Sequence, residues 1–408
     1  MITVDEASFF AVILTAALAA VTVVVVPKRL APPVVVVELI FGIVIGPQVL
    51  GLAEPDEFID FFSNLGLGML FFFAGYEIDF ERIKGKPLSL GAWGWLVSLV
   101  LAYGIGGALA AAGVVLSFLY TGSALATTAI GTLIPILRDG GELRTRFGTY
   151  LLAAGAIGEF GPILLITLVL STTQPLHEAL VLAGFIVLAL VLALASVRLA
   201  WRGFGALERT LESSSQLAVR IATVLVFGLV LLASELGLDL LLGGFVAGMI
   251  VRAALRGREV EVFESKLTAV GFGFLIPFFF VESGINFNLD ALGSAEAIAK
   301  LFLFLGLFLV VRGTPALLLY RGVLAARDRA ALAFFSATEL PLVVAITTLA
   351  IENGEMKSST AAGLVGAAML STLIFPFVGM ALRRGRPGDE REPEPELSPG
   401  PEAPGAPA

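Results

Sequence analysis

Apolar runs of about 20 residues recur from one end of this 408-residue chain to the other, separated by short loops rich in charge, glycine or proline. A helix rises about 1.5 Å per residue and the hydrocarbon core of a bilayer is about 30 Å thick, so runs of this length fit membrane crossings. In lipid the backbone must satisfy its own hydrogen bonds, and runs this long do so as helices. Thirteen spans are expected, at 7–26, 33–52, 59–78, 88–111, 114–137, 149–170, 178–197, 217–235, 238–252, 266–284, 297–320, 331–350 and 360–382. The eighth and ninth meet at a very short turn. With 57% hydrophobic and 15% charged residues, the fold class is an all-α polytopic membrane protein of about 13 transmembrane helices.

The domain division is correspondingly simple. Residues 1–385 form one transmembrane domain, and the Pro/Glu-rich residues 386–408 are expected to be a disordered cytoplasmic tail. The net charge of −8 is in part a property of that tail, so it says little about partners. The chain has no cysteine, which removes disulfides, iron–sulfur clusters and thiolate metal sites. Its one histidine, His177, falls in a polar loop and is read as solvated, so a multi-histidine metal site or a Ser–His triad is untenable. No catalytic group has a plausible base beside it; an enzyme, a cofactor and a nucleic-acid partner are not expected. Asp5 and Glu6 stand where a signal peptide would carry basic residues, so the first run is read as a retained helix.

Basic residues set the orientation. With the N-terminus outside, the cytoplasmic loops and the tail hold 23 of the 26 Lys and Arg, only Lys300 and Lys357 fall outside, and Arg312 lies within a span. The expected topology is therefore N-terminus out and C-terminus cytoplasmic. An internal repeat fits that topology. FFFAGYEIDF from Phe71 and FFFVESGINF from Phe278 match at an offset of 207 (Ile78 with Ile285, Phe80 with Phe287), and ELIFGIVIG from Glu38 resembles LLGGFVAGM from Leu241. Each pair lies seven spans apart, an odd number, so the copies point in opposite directions. This predicts an inverted repeat of spans 1–6 and 8–13 joined by span 7, the architecture of alternating-access secondary transporters.

Polar residues inside the spans mark a candidate site. Glu159 lies in YLLAAGAIGEFGPILLITLVL from Tyr150, roughly 15 Å deep by helix rise. A charge there costs about 2.5–3.5 kcal/mol on the lenient insertion scale, so the group is expected to bind a cation or a proton. The fifth and twelfth spans are both interrupted near their centres, in ATTAIGTLIPI from Ala126 and SATELP from Ser336. Broken helices at equivalent places in two repeats point to a transport site. There Thr127 and Thr128 either ligate a cation or satisfy their own helix. Arg312, in LVVRGTPALLLY from Leu309, is the basic residue inside a span; it stays protonated and needs a carboxylate, Glu159 or Glu339, or a shell of carbonyls. A structural or charge-balancing role is expected for Arg312, and Glu339 is either a proton carrier or its salt-bridge partner. Glu77, Asp79 and Glu282 line funnels or sit solvated at the interfaces, and Glu38 snorkels or pairs with a cytoplasmic base.

These segments resemble the monovalent cation:proton antiporter superfamily, in the branch of bacterial Na+/H+ antiporters and potassium-efflux membrane domains. The resemblance is carried by PVVVVELIFGIVIGPQVLGL from Pro33, LGLGMLFFFAGYEIDFERI from Leu65, the Thr127–Thr128 pair, LLGGFVAGMI from Leu241 and FFFVESGINFNLDAL from Phe278, and covers nearly all of residues 7–383. It implies thirteen helices, a homodimer, and a mobile core of two crossed, discontinuous helices with one carboxylate site between water-filled funnels. At the family's paired polar and acidic positions this chain has Gly158–Glu159, and Arg312 stands where electrogenic members carry lysine. The expected function is exchange of a monovalent cation (Na+ or K+) for protons by competition at Glu159, electroneutral, in the plasma membrane of a bacterium. The rivals are a Na+-coupled organic-anion symporter on a related fold and a non-transporting ion or pH sensor.

Overall fold

The computed structural model describes residues 5–26, 32–78, 80–143, 145–165, 180–195, 198, 215–236, 240–255 and 261–384. His177, Asp79, Lys28, Arg29 and the 386–408 tail lie outside the described residues. The first half contains α1 (Glu6–Val25), α2 (Val34–Ile45), α3 (Glu57–Tyr76), the single turn α4 (Phe80–Ile83), α5 (Lys86–Ala111), α6 (Phe118–Leu125), α7 (Ile130–Asp139) and α8 (Arg146–Leu165). A helix over Leu180–Ala195, α9, falls in the expected connector. The second half contains α10 (Leu217–Glu235), α11 (Leu240–Ala254), α12 (Glu261–Val270), α13 (Ile276–Ile285), the turn α14 (Leu289–Leu292), α15 (Ala295–Leu319), α16 (Ala326–Ser336), α17 (Pro341–Glu352) and α18 (Ser358–Arg383). Every expected span therefore contains helix, and no strand occurs among the described residues. Eight helical stretches are long and apolar enough to cross a membrane, and four shorter apolar ones accompany them.

Local departures from the expected boundaries have identifiable causes. The second span is shorter than 33–52 because α2 stops at Gly46, just before Pro47, and the chain turns back at Gly51 with φ +61°. The tenth begins earlier, at Glu261, and passes through a π-helical turn, Gly271–Leu275, between α12 and α13. Pro277 lacks the N–H that would bond one turn back, and the ladder is re-registered just upstream of it.

Hydrogen bonds between helix ends confirm the alternation of direction. Asp5 N donates to Asp56 Oδ2 at 2.9 Å, joining the starts of α1 and α3, and Glu54 N donates to Ser8 Oγ at 3.0 Å after the chain has returned through α2. At the opposite face Arg383, ending α18, binds Glu142 between α7 and α8 at 2.8 Å and Asp328 at the start of α16 at 2.9 Å.

The helices sort into two bodies that each draw on both halves of the chain. In one, α3 packs on α11 and α13, α2 on α13, and α10 on α11; in the other, α5 packs on α6, α8 and α15, and α18 on α15, α16 and α17. This is the interleaving an inverted repeat produces, with spans 1–3 beside 8–10 and 4–6 beside 11–13. The repeat is visible in atomic contacts as well. A Cβ on Gly42 of α2 would collide with the Val281 carbonyl of α13, and one on Gly248 of α11 would collide with the Phe72 carbonyl of α3. Two pairs related by the repeat thus cross through the same device, glycine against carbonyl.

Between the bodies lies a cavity of about 680 Å³ lined by Asp60 and Asn64 of α3, Glu282 of α13 and Thr347 and Glu352 of α17. It opens at the face where α3 begins. Toward the opposite face the same junction holds about 10 Å³, between Glu77, Ile83, Ile134 and Leu152. There Arg82 of α4 donates to Thr149 Oγ1 at 3.1 Å and to the Leu143 carbonyl, tying α4 to the start of α8. Of these two cavities, the one at the face where α3 begins is by far the larger.

Candidate functional site

The interruptions expected from sequence are present and they touch. Ala126–Ala129 separate α6 from α7, and Ala337–Leu340 separate α16 from α17. Ala129 N donates to the Thr338 carbonyl at 2.8 Å, Thr128 N to the Gly158 carbonyl at 3.0 Å, and Thr128 Oγ1 to the Ser336 carbonyl at 2.6 Å. Broken helices leave unpaired amides and carbonyls at their cut ends, and here each break satisfies part of the other. Pro341 opens α17, where its missing N–H costs nothing.

The five residues singled out from sequence converge at this crossing. Thr127 and Thr128, Glu159 of α8, Arg312 of α15 and Glu339 are all at most 4% exposed. Arg312 has no carboxylate within ion-pair distance among the described residues; of the two alternatives it takes the shell of neutral oxygens. Its Nε donates to Thr128 Oγ1 at 2.9 Å and the Ser336 carbonyl at 3.4 Å, Nη1 to Ser98 Oγ at 3.2 Å, and Nη2 to the Ala154 carbonyl at 3.4 Å. One guanidinium therefore joins α5, α8 and both breaks, and its charge sits at the carbonyl end of α16, where a cation is favoured. Glu339 is thus not its salt-bridge partner by contact, though the two interact through space.

Glu339 is held by its backbone and by one side-chain bond. Its N–H donates to Ser371 Oγ at 2.9 Å, its carbonyl accepts from Thr372 Oγ1 at 2.8 Å, and its Oε2 accepts from Thr127 Oγ1. Thr127 has one hydroxyl proton and a second acceptor, the Ala124 carbonyl at 3.0 Å. It donates to Glu339 when that carboxyl is ionised, and is free to turn to Ala124 when the carboxyl carries a proton of its own. Glu159 faces the Gly131 amide at the start of α7, the positive end of that half-helix. Its Oε2 and Oε1 of Glu339 are both buried without a hydrogen-bond partner.

The unusual Gly158 also has a geometric reason. A Cβ there would run into Arg312 Nη2 and come within 2.8 Å of Thr128 Oγ1. The guanidinium occupies the space a side chain at 158 would need, so the acid at 159 has no polar neighbour beside it in sequence.

Burial narrows the alternatives the sequence left open for two other acids. Glu282 is buried, with Asp60 and Ser63 beside it, and lines the cavity, the first of its two expected placements. Glu38 is only 4% exposed, so it does not snorkel. Ser98, Ser336, Ser371 and Thr372 were not anticipated. Their signal was slight, because a hydroxyl in an apolar helix ordinarily bonds its own backbone; only the tertiary contacts show the hydroxyls of Ser98, Ser371 and Thr372, and the carbonyl of Ser336, serving Arg312 and Glu339.

Residues 12–381 match the family described as sodium/hydrogen exchanger, transmembrane. The chain belongs to that family. Among its relatives is the Na+/H+-K+ antiporter GerN of Bacillus cereus, 30% identical over 268 residues, covering 63% of this chain and 66% of GerN. Another is the Na+/H+ antiporter NhaS5 of Synechocystis, 27% identical over 367 residues, covering 83% of this chain and 48% of NhaS5. The matched regions thus span about two-thirds or less of those relatives. Among solved structures, the sodium proton antiporter MjNhaP1 of Methanocaldococcus jannaschii shares the fold with a TM-score of 0.62 at 17% identity, over 92% of this chain and 95% of that one. The membrane-exchanger fold and the family expected from sequence are both established by these matches.

Proposed function

We propose that this exchanger-family chain is a secondary-active antiporter that exchanges a monovalent cation, Na+ or K+, for protons at Glu159. The observation that carries the reading is a buried carboxylate oxygen without a donor, at the crossing of two broken helices. A desolvated carboxylate is stabilised by a cation or by a proton, and the two compete for it. Glu159 binds them in turn, Thr127 and Thr128 shape the crossing, and Arg312 and Glu339 balance its charge. The second body carries the site, and the glycine-packed body is the frame against which it moves. The cavity at one end and the tight junction at the other support alternating access, with the open end toward the outside.

Exchange is one for one and electroneutral. Arg312 is bonded at four points, to two backbone carbonyls and two side-chain hydroxyls, and has no proton to release. The protein is placed in the plasma membrane as a homodimer with its N-terminus outside, in keeping with the distribution of basic residues and with the family resemblance.

The test is proton exchange reported by a pH-sensitive dye in everted vesicles, on addition of Na+, Li+ or K+ across pH 6–9. Glu159→Gln should reduce exchange at least about 100-fold while leaving the amount of folded protein unchanged. Retained exchange in that variant would move the site elsewhere. Strong dependence of the wild-type rate on membrane potential at fixed ion gradients would overturn electroneutrality.

A further inference from the structure

Two of the buried polar atoms that lack any partner among the described residues are carboxylate oxygens, Glu159 Oε2 and Glu339 Oε1. They belong to residues 3% and 0% exposed that meet at the first break: Glu339 Oε2 accepts from Thr127 within that break, and Glu159 Oε1 lies against Gly131 at the start of α7, just beyond it. An orphaned buried acceptor costs about 1–3 kcal/mol, and more when it is charged, so a pair of them at one place is not a neutral packing choice. Arg312 does not relieve either one, since its donors go to Ser98, Thr128, Ser336 and Ala154. Thr127 reaches only the other oxygen of Glu339.

Charge counting leads to the same place. Arg312 contributes one positive charge to the crossing. With Glu159 as the sole ionised acid, the empty site would already be neutral, and a bound cation would leave an uncompensated positive charge in a low-dielectric interior. With both acids ionised the empty site is −1, and one monovalent cation or one proton brings it to zero. The neutral, loaded core is then the form that moves.

We propose that Glu339 is a direct ligand of the transported cation, sharing it with Glu159, and that this two-carboxylate site selects Na+ and Li+ over K+. The proposal rests on Glu159 being the exchange site. Two anionic oxygens from separate carboxylates make a strong-field site. A smaller ion approaches such oxygens more closely, and its larger Coulomb gain outweighs its larger dehydration cost. A site built from Glu159 and neutral threonine or carbonyl oxygens would have a weaker field and would discriminate less.

The experiment uses the full-length protein in liposomes, with proton exchange driven by Na+, Li+ or K+ and 22Na+ binding measured on the purified protein. Wild type should show a half-saturating Na+ concentration at least about tenfold below that for K+. Glu339→Gln can still accept from Thr127 but removes one anionic ligand. It should raise the Na+ half-saturation about tenfold or more and shrink the Na+/K+ ratio toward one, while Glu339→Asp keeps the charge and should fall between. Glu159→Gln should bind no 22Na+. Where Glu339→Gln yields no folded protein, Glu339→Asp and the wild-type ion series carry the decision. Unchanged Na+ half-saturation and ion ratio in Glu339→Gln and Glu339→Asp, or a wild type that takes K+ as readily as Na+, would overturn the proposal while leaving Glu159 in place. Exchange surviving in Glu159→Gln would overturn the underlying reading instead.

Discussion

In the body built from α1–α3 and α10–α13, helices meet through glycine; in the body built from α5–α8 and α15–α18, the central contacts are hydroxyls, carbonyls and charge. Gly42, Gly66, Gly75, Gly244, Gly248 and Gly284 each place backbone against backbone in the first body. Around them lie Phe71, Phe72, Phe278 and Phe280, at most 1% exposed. Close crossings of this kind gain dispersion energy without polar contacts, and the acids this body buries, Glu38 and Glu282, supply none of the carbonyls those glycines meet. In the second body the central groups are Arg312, Glu159, Glu339 and the hydroxyls that serve them, and its far end carries Arg383 with Glu142 and Asp328. Buried charge is costly in lipid, and a fold keeps it where the charge is used. The contrast divides the described helices into a part joined backbone to backbone and a part whose centre is polar and charged.

Three substitutions probe that contrast, from the largest effect to the smallest. Gly158→Ala should be the most damaging to transport. The added methyl displaces Arg312 and Thr128 from each other, and exchange in vesicles should fall by about the same 100-fold as in Glu159→Gln. Activity near wild type would show that the guanidinium can move aside without consequence. Gly42→Val should act on the frame alone. It forces α2 away from Val281 and Gly284, at a cost of about 1–3 kcal/mol read as a lower Tm in detergent, while protein that does fold keeps its Na+ half-saturation. A changed ion affinity would mean that the two bodies are not separable. Glu142→Gln should have the smallest effect. It weakens the bidentate bond to Arg383 but leaves Asp328 in place, so Tm should fall modestly and the Na+/K+ ratio should not change.

Much of the fold was legible before any coordinates. The Phe-triplet repeat at an offset of 207 anticipated that α3 and α13 would play equivalent parts, and they do: each is crossed by the other repeat's glycine-bearing helix, α11 and α2. The breaks at Ala126–Ala129 and Ala337–Leu340 were also foreseen, because threonines followed by a proline interrupt an apolar span at equivalent places in both repeats. The π turn at Gly271–Leu275 was not, since periodicity cannot show a single residue of slippage in a uniformly apolar helix. Nor did sequence distinguish Glu282, which lines the cavity, from an acid solvated at the interface.

What the sequence determined by itself were the properties that act along the chain. Run length fixed the crossings, the odd spacing of the repeats fixed their inversion, and one carboxyl in the middle of an apolar helix marked the candidate site. The tertiary structure decided the matters that depend on which atoms meet across helices. It gave Arg312 a shell of carbonyl and hydroxyl oxygens instead of a carboxylate, filled the space beside Gly158 with that guanidinium, and left one oxygen of Glu159 and one of Glu339 without a donor. Hydropathy reports the cost of burying a group, whereas the relief of that cost comes from partners far away in sequence, which only the packed helices bring within a hydrogen bond.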